Sequence, residues 1–156
     1  MKHDHRSRTR ARMLLALRQQ REQVARQDFL LAQAEVEAVQ ARIVTLKATL
    51  EDYDQAARQA AYSGGQEDLR LYRGFAVQVR QAVALEERRL AASQDLLDEC
   101  RRELDAARRE VKAVQMLQDR IEELQDAAAE RETVKQMDDQ HASHSVQTGK
   151  WERLRP

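Results

Sequence analysis

Residues 10–61 contain neither Gly nor Pro. No other feature constrains the fold as much. More than one helix cannot easily be cut from such a stretch, because turns and helix stops need residues that break the backbone pattern. The whole chain of 156 residues has four Gly and one Pro, and that Pro is its last residue. A fold of many short strands would need more punctuation than this. The Ala, Glu, Leu, Arg and Gln-rich composition is that of a long helix or coiled coil. Aromatics are only 4% of the chain, too few for a bulky globular core.

The sole strong interior turn signal is Ser63-Gly64-Gly65, and a second helix is expected from about residue 66 to residue 140. Gly74 is the one weak point early in that second helix. The apolar spacing says what the helices do. Val39, Ile43, Leu46, Leu50, Tyr53, Ala57 and Ala60 alternate steps of four and three. The same alternation runs from Leu69 through Tyr72, Ala76, Val79 and Val83 to Leu104, Val111 and Val114, broken in character only by Glu86 and Ser93. That is a heptad seam with a period near 3.5 residues, which specifies a left-handed coiled coil. Beyond Val114 the apolar residues read Leu117, Ile121, Leu124 and Ala128, which predicts a stammer. Before Val36, Leu17, Val24, Phe29 and Leu31 lie on a drifting face.

A seam needs a facing seam, and the nearest is on the same chain. The expected fold is all-α, a long antiparallel two-helix coiled-coil hairpin. It spans residues 10–140 with its turn at 62–66, Val39 facing Leu90 and Leu17 facing residues 110–114. Residues 1–9 read as a disordered basic lead and residues 141–156 as a disordered tail. The second helix outlasts the first, and its end is expected to continue alone from near Arg120.

Charge is balanced, 27 Lys and Arg against 27 Asp and Glu, which argues against a nucleic-acid binder. No apolar run approaches the ~18 residues of a membrane span, so the protein is expected in the cytosol. There is no phosphate-binding G-x-x-x-x-G-K-[ST], no G-x-S-x-G and no H-E-x-x-H, so no catalytic, cofactor or metal residue is assigned. Pairs such as Glu86-Glu87-Arg88-Arg89 suit solvated helix faces. Cys100 falls on the seam and reads as a small buried hydrophobe. His141 and His144 read as a polar helix end. Arg6, Arg8, Arg10 and Arg12 form a basic arm suited to an acidic protein surface or to solubility. Tyr53, Tyr62, Tyr72 and Phe75 gather near the turn, either as local packing or as interface anchors. Trp151 and Leu154 read as part of the tail.

Three stretches resemble the FliJ family of flagellar type III export, related to the stalk proteins of virulence secretion. Leu50-Glu51-Asp52-Tyr53 precedes the turn. Leu71-Tyr72-Arg73-Gly74-Phe75 and Val79-Arg80-Gln81-Ala82-Val83 follow it. Leu117-Gln118-Asp119-Arg120 and the charged run from Glu130 to Asp139 end the long helix. The chain departs from the family's pattern in a start without apolar first turns and in Asp138-Asp139-Gln140. The resemblance implies a stalk like the central shaft of rotary ATPases, with no enzymatic activity of its own. One end would sit in a hexameric secretion ATPase and promote its assembly. The other would reach an export-gate membrane protein, and export chaperones are further partners. Such a protein is cytoplasmic, peripherally associated with the inner-membrane export apparatus, and monomeric. Carried over, the ATPase contacts are Arg12, Leu17, Arg21, Val24, Leu117, Arg120, Ile121 and Met137. The gate contacts are Tyr53, Tyr72, Phe75 and Val79. The competing expectation is a homodimeric coiled-coil scaffold or adaptor protein.

Overall fold

The computed structural model describes the backbone of residues 2–152 and the side chains of residues 6–143. Two helices account for it: α1 at Lys2–Ser63 and α2 at Gln66–Glu152. They pack against each other as an antiparallel hairpin. The described residues include no strand.

The turn follows from two glycines. Gly64 has φ 74°, the left-handed conformation that ends many helices and that a Cβ disfavours. A Cβ there would meet nothing within 4 Å, so the demand is conformational and not steric. The Gly65 N–H donates to Ala60 O at 3.1 Å, closing the end of α1. The Gly65 carbonyl then accepts from Leu69 N at 2.9 Å and opens α2. Glu67 and Asp68 in the first turn of α2 complement the positive end of its dipole.

Helix runs past both boundaries expected from the sequence, starting at Lys2 and reaching Glu152. Residues 2–9 hold no Gly or Pro, and Gly149 is the only breaker in residues 141–152. Nothing local forbids helix there, although from Ala128 to Ser143 every side chain is exposed. Trp151, His144 and Leu154 have side chains outside the described residues.

The chain forms two compact units, residues 20–108 and residues 1–19 with 109–156. In the first, α1 buries Ala32, Val36, Val39, Ile43, Ala57 and Ala60, with Val39 fully enclosed. On α2, Ala76, Val83, Ser93, Cys100 and Leu104 answer them. The Ser93 hydroxyl donates to Leu90 O at 3.0 Å, so the one buried polar seam residue is satisfied by its own helix. Ion pairs give the direction. Arg108 meets Glu22 at 3.8 Å, Arg89 meets Glu35 at 2.8 Å and Arg80 meets Asp54 at 2.9 Å. As α1 numbers rise their α2 partners fall, which is an antiparallel pair. Glu35–Arg89 and Arg42–Glu86 (3.7 Å) place Val39 opposite residues 86–89, within about a turn of the expected Leu90.

In the other unit Ala11, Val111 and Val114 are buried. Arg18 and Glu110 pair at 2.6 Å, which is the facing the spacing predicts.

Two expectations are corrected. The stammer after Val114 is absent. Leu117 is 49% exposed and Leu124 64% exposed, while Gln118, Ile121 and Gln125 are half-buried. The spacing of four and three therefore continues, through glutamines. The drift before Val36 is also absent. Leu17, Val24 and Leu31 point outward, while Ala25, Phe29 and Ala32 carry the seam.

Candidate functional site

Two sets of side chains come out of the sequence, and the fold treats them differently. The first set falls in both compact units. Arg12, Leu17, Leu117, Arg120, Ile121 and Met137 belong to the unit made of the chain's two ends, and Arg21 and Val24 to the other.

Most of this set faces solvent. Leu17, Val24, Leu117 and Met137 are 49%, 53%, 49% and 57% exposed, and Arg12, Arg21 and Arg120 are exposed as well. Among the described residues these three arginines form no ion pair or hydrogen bond. Ile121 differs, because it is half-buried on the seam face with Gln118 and Gln125. Met13 and Val134, 69% and 59% exposed, join the outward apolar side chains although the sequence reading did not name them. The signal was available: Met13 and Leu17 are four residues apart, and Val134 and Met137 three apart.

The second set lies in the unit of residues 20–108, beside the turn. The Tyr53 and Phe75 rings stack across the two helices with centroids 5.4 Å apart and planes 28° apart. This offset contact holds the helix ends together and still leaves Phe75 37% exposed. Tyr72 and Val79 are half-buried. Tyr62 is 93% exposed and joins no ring contact. The aromatic cluster is thus both local packing and open surface.

Next to the stack runs a groove of about 540 Å³. Its floor is Ala57, Leu69, Ala76 and Val77, and its rim holds Arg58, Arg73 and Arg80. Arg58 pairs with Glu51 at 3.3 Å and Arg80 with Asp54 at 2.9 Å, while Arg73 has no acidic partner among the described residues. The sequence reading missed this basic rim. Arg73 and Arg80 stand seven residues apart, which puts them on one face of α2, but their alignment with Arg58 depends on the register of the hairpin.

Farther along the same unit, Cys100 is buried, and its thiol is pushed up in pKa by burial first and then by Glu103, Asp28 and Glu99. A protonated, enclosed thiol suits packing and not nucleophilic chemistry. Glu86, half-buried on the seam, faces Arg42 at 3.7 Å and Arg89 at 3.9 Å, and its Oε2 has no hydrogen-bond partner. Among the described residues no group of three His, Cys, Asp or Glu could hold a metal ion, and no helix is long and apolar enough to cross a membrane.

A helical hairpin with large apolar and basic side chains facing outward has the surface of a protein that meets partners. The chain matches the family described as Flagellar FliJ protein over residues 7–150, and it belongs to that family. Membership makes it a component of the flagellar export apparatus. No curated protein and no solved structure matches it.

Proposed function

We propose that the chain is the stalk of the export apparatus, cytoplasmic and peripherally associated with the inner membrane. In this reading it engages a hexameric secretion ATPase through Arg12, Leu17, Arg21, Val24, Leu117, Arg120 and Met137. It engages the export gate through Tyr53, Tyr72, Phe75 and Val79, and export chaperones are further partners. The supporting observation is the outward placement of Leu17, Val24, Leu117 and Met137, each about half exposed although large and apolar. Large apolar side chains left in water are the expected anchors of an interface. Ile121, half-buried on the seam face, completes this set of ATPase contacts. The α1 seam is met by α2 of the same chain, which favours a monomer over a homodimeric scaffold.

Surface plasmon resonance on the immobilised full chain tests both contacts. Leu17→Asp with Leu117→Asp should weaken binding of the ATPase about tenfold or more and leave the gate protein's soluble domain unaffected. Phe75→Ala with Tyr72→Ala should do the reverse. Wild-type binding of both partners to both variants would sink the assignment.

A further inference from the structure

A second groove lies between α1 and α2 away from the turn, with a volume of about 480 Å³. Leu31 and Leu96 form its apolar walls, 70% and 52% exposed, and Asp28, Glu35, Glu99 and Glu103 stand around them. Arg89 and Arg42 neutralise Glu35 at 2.8 and 3.8 Å. Among the described residues Asp28, Glu99 and Glu103 have no ion-pair partner. Of the neighbouring cations Arg26, Arg101 and Arg102, none pairs with these carboxylates, and Arg101 lies over the Phe29 ring at 6.0 Å. The negative field of these three carboxylates is also felt at Cys100 beneath them, whose thiol each of them pushes up.

We propose that this groove docks a basic amphipathic helix of a partner protein, distinct from the ATPase and gate contacts. The charge pattern decides the occupant. An anionic membrane surface would be repelled by three uncompensated carboxylates. A second copy meeting the groove through the same face would set these carboxylates against their own kind, as two-fold symmetry requires. A helix with Leu or Met along one stripe and Arg or Lys beside it satisfies both walls and rim. From Asp28 to Glu35 the groove follows α1 for about two turns, roughly 10 Å at 1.5 Å per residue, which matches anchors at i, i+3, i+4 and i+7.

Fluorescence anisotropy with the full chain tests this. The probes are a labelled helical peptide of Leu and Arg in that pattern and its Leu/Glu counterpart. The Leu/Arg peptide should bind saturably, at least about tenfold more tightly than the Leu/Glu one. Leu31→Ser with Leu96→Ser should weaken it about tenfold. Glu99→Gln with Glu103→Gln should weaken it and flatten its salt dependence. Val44→Ser, at an apolar side chain 69% exposed outside the groove, should leave binding unchanged. All four substituted side chains of the groove are on the surface, and circular dichroism melting confirms that the variants fold. Equal binding of both peptides, or undiminished binding to the Leu31→Ser/Leu96→Ser chain, would overturn the proposal. So would a doubled mass in sedimentation that returns to that of one chain in the same variant, since the occupant would then be a second copy.

Discussion

Two stretches of α1 use the same spacing with different side chains. Between Val36 and Ala60 the seam holds Val39, Ile43, Leu46 and Leu50, and its outward positions are mostly polar. Between Glu22 and Ala32 the seam holds Glu22, Ala25, Phe29 and Ala32, while Val24 and Leu31 face water. The first stretch spends its aliphatics on pairing with α2. The second pairs through small and charged residues and keeps its branched aliphatics outside. The difference teaches that a seam is a set of positions, and that large apolar residues missing from those positions mark surface available to partners.

The largest expected effect separates seam from surface directly. Val39→Asp places an unpaired carboxylate where the wild-type side chain is 0% exposed, and should cost about 3–5 kcal/mol. Val24→Asp, at 53% exposure, should stay within about 0.5 kcal/mol. Thermal melting followed by circular dichroism reads both. Equal losses would mean that the two stretches are not different in kind.

A smaller effect tests the charged slot inside the aliphatic stretch. Glu86 leaves Oε2 without a hydrogen bond, and both of its arginines also reach Glu35. Glu86→Leu should therefore stabilise the hairpin by about 1 kcal/mol, raising the urea midpoint. A lowered midpoint would show that the Arg42–Glu86–Arg89 cluster contributes more than its desolvation costs.

The smallest effect concerns Cys100. Its thiol pKa is raised in the folded chain above the ordinary 9.0, by burial and by Glu103, Asp28 and Glu99. The folded state thus prefers the protonated thiol. That preference contributes fully below pH 9.0 and is lost as pH rises through and above it. The stability difference between wild type and Cys100→Val should be constant from pH 6 to 8 and should shift against the wild type at higher pH. A difference that stays constant across the alkaline range would remove the buried-thiol account.

The hairpin was legible because its signals are local. Gly64 and Gly65 could only be a turn, and the aliphatic seam from Val39 to Ala60 states its own period. The stammer and the drift were misread for one reason. Assigning the seam by apolarity selected Leu117, Leu124, Leu17 and Val24, whereas geometry selects Gln118, Gln125, Arg18 and Ala25. Strict counting in steps of three and four from Val114 or Val36 would have found these positions. The groove carboxylates and the Arg58–Arg73–Arg80 rim were not legible at all. They join residues from two helices, and only the register brings them together.

The central claim is that partner contact lives on the outward side chains and folding on the seam. The most direct measurement is the ATP hydrolysis rate of the secretion ATPase, with the purified chain carrying either Leu17→Asp with Leu117→Asp or Leu104→Ala. Leu104 is 4% exposed, so its truncation should cost about 2–4 kcal/mol and lower the melting temperature while leaving stimulation intact well below that temperature. Wild type should stimulate hydrolysis, and the outward pair should keep the wild-type melting temperature and lose that stimulation. A stably folded Leu17→Asp/Leu117→Asp chain that stimulates hydrolysis as well as wild type would contradict the account.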